Sequence, residues 1–296
     1  MAAMIRREWL LKTEKPAAGS LPQRLLAGRG LTDPDSAAAF LQPSIERLHD
    51  PFLLKDMDRA CALIQSVLTA GEPIVIHGDY DVDGITATAL LARFFLHLNA
   101  RCTTMIPDRL TDGYGLGASG ADILSAGGCR LLITVDCGIS SFDEVERLKK
   151  AGLSVIITDH HTCKEQLPAA DAVINPKRPD SGYPFDGLAG VGVALKLMQA
   201  LCIRMDLGRL WQEHLDLVAL GTVADVVPLL DENRILAAAG LEQINQQNRT
   251  CGLDLLLRSV CQTDRPIGAQ TLGYTIAPLI NASGRLRNAD DALNLL

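Results

Sequence analysis

Aromatic residues are scarce: two Trp, four Tyr and six Phe make up 4% of the 296 residues. A core for a chain of this length must therefore be built from aliphatic side chains, and hydrophobic residues at 48% supply them. No apolar run is long enough to span a bilayer, so a soluble globular protein of one large domain or two modest ones is expected, with no membrane partner. The amino terminus, MAAMIRREWLLK, lacks an apolar stretch followed by a small-residue cleavage site, so no signal peptide is expected and the expected location is cytoplasmic. The eight cysteines include no CxxC pair and no zinc-ligand spacing; they read as small core residues of a reducing compartment, with no catalytic thiol at Cys137 or Cys163. A positive charge balance is also missing. The net charge of −7 argues against a broadly basic nucleic-acid surface, while leaving room for a local basic funnel into an acidic, metal-loaded site. Internal repeats and low-complexity segments are absent.

What the chain does have is alternation. Short strand patterns, most of them rich in Val and Ile, at Ile74–Ile76, Cys102–Ile106, Leu131–Val135, Ser154–Ile157 and Ala172–Ile174 are separated by helical patterns at Thr86–Leu98, Ala118–Ser125 and Phe142–Lys150. This spacing predicts an α/β fold: a mostly parallel sheet flanked by helices, joined by right-handed crossovers. A lead-in with short helices at Leu21–Gly30 and Asp35–Leu41, and a stronger amphipathic helix at Met57–Thr69, come first. After Asn175-Pro176 a turn-rich stretch leads to a helix at Val193–Arg204, and from Leu215 the pattern is chiefly helical. The expected divisions are a lead-in over residues 1–50, a catalytic domain over 51–230 and a helical segment over 231–296. The pattern at Asp290–Leu296 has no cap or stop signal, so continuation into a longer protein is expected.

The stretch HGDYDVDG, His77 to Gly84, falls between the first strand and its helix, where open α/β sheets place their ligands. Asp79, Asp81 and Asp83 alternate there, with His77 four residues before Asp81. Residues two apart in extended or looping backbone point the same way, so the three acids can converge, and converging carboxylates repel unless a cation neutralises them. The plainer alternative is an acidic turn in which one Asp caps the helix. The next strands end similarly: Val135 is followed by Asp136-Cys137-Gly138, and Thr158 by Asp159-His160-His161. Three successive strand ends bearing such groups would line one sheet edge. An imidazole beside carboxylates suits Mn²⁺ or another first-row ion better than Mg²⁺ or Ca²⁺ alone. Asp225 closes the otherwise apolar run Leu217–Ala224 and needs a partner, which metal coordination would supply. Gly190-Val-Gly192 lacks the third glycine of a dinucleotide fingerprint, leaving a helix amino terminus that helps to hold a phosphate as the more modest reading.

HGDYDVDG, TVDCG, TDHH and GTVADVVPL stand in the order found in the DHH phosphoesterases, which this chain resembles over roughly residues 20–296. IPDRLTDGYGLG from Ile106, Asn175-Pro176 with Tyr183-Pro184 and GLAGVG from Gly187, and PLINASGR from Pro278 look like the bacterial single-stranded-DNA exonucleases of that family. The resemblance implies a two-metal phosphodiester hydrolase, Mn²⁺ favoured and Mg²⁺ the alternative, acting 5′ to 3′ on single-stranded DNA in repair and recombination. It implies that His77, Asp81 and Asp136 hold one ion, with Asp79 as the replacement for His77 or its partner. Asp83, Asp136, His160 and Asp225 would hold the other, Asp136 bridging and acting in catalysis. Asp159 would orient an imidazole, His161 would face the scissile phosphate as donor or acid, and Arg109 and Arg285 would grip phosphates. Tyr114 would stack on a base, and Asn281 would share substrate binding.

The competing expectations are a DHH enzyme for short or cyclic nucleotides or pyrophosphate, and a non-catalytic DNA-binding scaffold. A single-strand-binding protein or recombination helicase is an implied partner. Members of the family continue with a DHH-associated domain and an oligonucleotide-binding fold, neither found in this sequence; the chain alone is therefore expected to assemble the metal site but to grip DNA weakly and with poor processivity.

Overall fold

The computed structural model describes residues 19–107, 115–260, 265–286 and 289–296, the side chains of Ser119, Ser125, Ala126, Arg285 and Leu286 excepted. The chain forms two compact units, residues 1–44 and 45–296. The described part of the first holds two short helices, α1 (Leu21–Ala27) and α2 (Pro34–Leu41). Proline at the first position of α2 needs no helical donor, and the Asp33 carboxylate caps it by accepting from Ser36 N at 2.7 Å.

In the second unit all five expected strands form, as β1 (Ile74–Gly78), β2 (Cys102–Met105), β3 (Leu131–Val135), β4 (Ser154–Thr158) and β5 (Ala172–Ile174). They make one wholly parallel sheet in the order β2-β1-β3-β4-β5. Strands β3 and β4 are apolar along almost their whole length because both sheet faces are covered. Helices α3 (Met57–Ala70), α4 (Val82–His97) and α7 (Gly190–Arg204) pack one face, while α5 (Ala118–Ala126) and α6 (Phe142–Lys150) pack the other. The edge strand β5 is closed by an ion pair: Asp56 accepts from Val173 N at 3.1 Å and from Arg178 Nη1 at 2.6 Å.

Helix α4 is buried on nearly every side. Leu90, Leu91, Phe94 and Phe95 face the sheet, and Val82, Ile85 and Ala89 face a second core. That core is built with α8 (Leu215–Ala224), α10 (Cys251–Val260), α12 (Ala277–Leu286) and α13 (Ala289–Leu295). The boundary expected near residue 230 falls between α8 and α9 (Asp231–Asn245), which pack against each other inside the same unit. Gln243 Nε2 ties α9 to the turn before α8 by donating to Glu213 O at 2.7 Å. A short α11 (Ala269–Thr271) runs through a π turn, Leu272–Ile276, into α12, with Ala277 N donating to Leu272 O. Pro278 accounts for the widened turn: it has no N–H to offer the carbonyl of Tyr274, and its ring would collide with that oxygen in a regular helix. Among the described residues no helix is long and apolar enough to cross a membrane.

Candidate metal centre

Parallel pairing sets Gly78, Val135 and Thr158 side by side at the carboxyl ends of β1, β3 and β4. The next residue of each strand is Asp79, Asp136 and Asp159, so three carboxylates leave the sheet at one level. This is the switch point of the 2-1-3-4-5 strand order, where crossovers on either side of β1 and β3 leave a crevice. Each of the three side chains is almost wholly buried.

The helix after β1 starts at Val82, four residues earlier than its apolar pattern indicates, because Asp81 caps it: its carboxylate accepts from Gly84 N at 3.0 Å. The two readings of this acidic turn thus coexist, capping by Asp81 and convergence of acids around it. Gly84 is required by close approach, since a Cβ there would lie 2.5 Å from Asp79 O. Asp83, in the first helical turn, points at the start of α7, where Oδ2 accepts from Gly190 N at 2.6 Å and Oδ1 from Val191 N at 2.9 Å. The helix amino terminus read from sequence as a phosphate holder is therefore taken by a carboxylate of the chain itself. Asp136 packs on the same turn: a Cβ on Gly190 would sit 2.5 Å from its Oδ1. Asp136 adopts the left-handed backbone conformation, φ +58°, which Asp tolerates better than most residues. Asp225 caps the end of α8, and Val226 after it also has positive φ, +60°.

His160 Nε2 lies 3.1 Å from Asp136 Oδ1, 3.7 Å from Asp225 Oδ2 and 3.9 Å from Asp83 Oδ2. Donor atoms of Asp83, His160 and Asp225 gather within 4.8 Å of one another, as do those of Asp79, Asp81 and Asp136, and those of Asp136, His160 and His161. His77 is buried at the end of β1 and, among the described residues, belongs to none of these groups. Asp159 is occupied differently. Its Oδ1 accepts from the backbone of His160 and His161 and from His161 Nδ1 at 2.8 Å, and its Oδ2 from Ile139 N at 3.0 Å. The bond from Asp159 raises the His161 pKa, whereas burial lowers that of His160 to about 4 and so keeps it neutral. Burial alone would raise Asp159, but the His161 bond and the amides outweigh it and hold the carboxyl below its ordinary range.

The remaining acids are pushed the other way. Burial first and Asp81 second raise Asp79 to about 7, and the same two causes raise Asp225 to about 6. Burial, reinforced by neighbouring carboxylates, drives Asp83 and Asp136 well above the usual carboxylate range. The thiol of Cys137 is likewise raised, first by burial and then by Asp159. Asp79 Oδ1 is buried with no hydrogen-bond donor among the described residues. Acids held this unfavourably fit a site whose missing charge is that of divalent cations.

Asn281 of α12 lines a pocket of about 90 Å³ together with Asp81, Asp83 and Asp225. It thus borders the acids rather than standing apart from them. Arg109 and Tyr114 lie outside the described residues, as does the side chain of Arg285. Sequence reasoning missed the amides of Gly190 and Val191, which hold Asp83 across more than a hundred residues; only the glycine spacing at a helix start hinted at them.

Residues 73–222 match the DHH family, N-terminal domain. The chain is 42% identical over 284 residues to the single-stranded-DNA-specific exonuclease RecJ of Bacillus subtilis, covering 96% of this chain and 35% of that protein. A crystal structure of exonuclease RecJ bound to manganese superposes with a TM-score of 0.77 at 38% identity, covering 86% of this chain and 62% of that one. RecJ of Thermus thermophilus in complex with Mn²⁺ gives a TM-score of 0.76 at 35% identity, over 93% of this chain and 38% of that one. The chain therefore spans less than two thirds of each of these proteins.

Proposed function

The chain belongs to the DHH family, and we propose that it is the catalytic core of a metal-dependent exonuclease that hydrolyses phosphodiester bonds of single-stranded DNA. The observation that carries this reading is the in-register delivery of Asp79 and Asp136 by adjacent strands into donor groups, two of which share Asp136, while Asp159 of the next strand orients His161 beside them. Single-stranded DNA as substrate and Mn²⁺ as the favoured ion, with Mg²⁺ as alternative, are supported by likeness to RecJ proteins; a role in repair rests on the family resemblance, and a cytoplasmic location on the sequence reading. The 5′ to 3′ direction and a single-strand-binding protein or helicase as partner rest on the family resemblance alone.

Asp79, Asp81 and Asp136 would hold one ion, and Asp83, Asp136, His160 and Asp225 the other. The placement of Asp79 in the first group favours it over His77 as a ligand. Bound there, the cations supply Lewis acidity, activating water at neutral pH and neutralising charge on phosphoryl oxygens. The chain's own residues arrange the rest. Burial keeps His160 neutral, so its ring nitrogen offers a lone pair. Asp159 fixes the His161 ring through Nδ1, and the half-exposed imidazole, made more basic by that bond, would donate from Nε2 to a phosphate oxygen. Asn281, at the edge of the acids, would bond the sugar-phosphate chain. Arg109, Tyr114 and Arg285 complete the proposed substrate contacts.

The test is hydrolysis of a 5′-labelled single strand with Mn²⁺ beside a labelled dinucleotide. Progressive mononucleotide release from the strand is expected; cleavage of the dinucleotide with the strand untouched would overturn the reading in favour of a short-substrate enzyme. Asp159→Asn should lower kcat by about 10–100-fold, the range for losing a partner that orients a site group, with KM little changed. A variant with parental kcat would remove Asp159 from this role.

A further inference from the structure

The first turn of α9 lies outside the acidic cluster, yet two buried polar residues there reach both segments that shape it. Asn233 is fully buried, and its Nδ2 donates to Gly187 O at 2.6 Å and to Pro228 O at 3.1 Å. Gly187 stands three residues before Gly190, whose amide binds Asp83; Pro228 stands three residues after Asp225. One side-chain amide therefore joins the approach to the Asp83 clamp with the exit from Asp225. The exit needs such a restraint, because Val226 is a β-branched residue at φ +60° and is 85% exposed, so its own packing does not hold it there. Glu232, next to Asn233, secures the same approach from its other end. It accepts from Tyr183 Oη at 2.5 Å and pairs with the buried Lys196 at 2.5 Å.

We propose that Asn233 is a positioning residue that sets the spacing of Asp83 and Asp225, by bridging the 187–190 and 225–228 segments, and so tunes affinity for the ion these carboxylates share. The second half of this inference rests on the metal reading given above; the first half does not. Side chains of this kind, one step removed from ligands, change metal affinity by about 10–100-fold when lost.

The test pairs Asn233→Ala with Gln243→Ala, a control in the same helix that also removes a side-chain amide from a carbonyl, Glu213 O, away from the acids. Hydrogen exchange of the Gly190 and Val191 amides is measured without metal, Mn²⁺ binding is followed by electron paramagnetic resonance, and urea unfolding gives the stability of each variant. Asn233→Ala should speed exchange at these two amides at least about tenfold and weaken one of two bound Mn²⁺ ions about tenfold. Gln243→Ala should do neither, even at equal loss of stability. If both variants behave alike at matched stability, Asn233 is only a structural bond and the proposal fails. Should Asn233→Ala not fold, Asn233→Leu, which keeps the volume and loses the donors, carries the same expectations. A parent that binds no Mn²⁺ would remove the metal reading and with it the affinity claim, while the exchange comparison would still decide the coupling of the two segments.

Discussion

Asp136→Asn is expected to reduce Mn²⁺-dependent cleavage of a single strand by more than about 10³-fold, the upper range for removing one electrostatic element of a catalytic site. The same substitution should leave the metal-free protein at pH 8 no less stable than the parent. Both effects follow from one arrangement. Asp136 lies 3.1 Å from His160 Nε2, its donor atoms are shared between two of the three ligand groups, and burial and nearby carboxylates penalise its charged form. Asparagine keeps the shape that fits against Gly190 and tolerates φ +58°, but it relieves the like-charge repulsion and forfeits the anionic ligand. Alanine at this position would confound the comparison, because it tolerates the left-handed conformation less well. Cleavage assays with urea unfolding in EDTA check the pair of outcomes. Cleavage above a tenth of the parental rate, or a clear loss of metal-free stability, would displace Asp136 from the centre of the site.

Strands β1, β3 and β4 were legible because each centres on a run of Val, Ile and Leu that is buried or nearly so on both faces, a pattern that needs no tertiary information; the edge strand β2, CTTM, is more exposed and carries the pattern only weakly. The three acids at their ends were legible for the same reason: once the strands are placed, Asp79, Asp136 and Asp159 stand one residue beyond each. Whatever depends on contacts between distant segments was not. The start of α4 lay four residues earlier than its apolar spacing indicates, since Asp81 serves as a cap while its neighbours converge. The Gly190-Val-Gly192 helix start looked like a phosphate cradle, and only the fold brings Asp83 to its amides. Periodicity cannot reveal that Asn233 spans Gly187 and Pro228, because its two partners lie on loops with no pattern of their own. At residue 230, where the helical segment was expected to begin, periodicity is equally silent about which layer the next helix joins. A change from alternating strands to helices marks a new layer as readily as a new domain, and α9 packs on α8 within one core.

Without metal, the protein should gain stability as pH falls from 8 toward 6.5. Carboxyl groups in the unfolded chain ionise near pH 4, whereas burial and mutual repulsion raise Asp79 to about 7 and Asp225 to about 6 in the fold. The folded chain therefore holds protons that the unfolded chain has released, and their contribution is lost as pH rises through the folded values. His161, whose pKa the Asp159 bond raises, adds to the gain on acidification. His160 opposes it below about 6.5, because the unfolded chain then binds a proton that the buried ring, with a pKa of about 4, refuses. Mn²⁺ should invert the slope, since its ligands bind as ionised carboxylates and neutral imidazole, so that protons compete with it. At a hundredfold excess over Kd one ion contributes about 2.7 kcal/mol, a rise in Tm of about 5–10 °C for a chain of this size at pH 8, shrinking as pH falls. Thermal unfolding in EDTA and in Mn²⁺ across this range measures both slopes. Metal-free stability that rises from pH 6.5 to 8, or a Mn²⁺ shift that is the same at every pH, would mean that the buried acids are not what the cation neutralises.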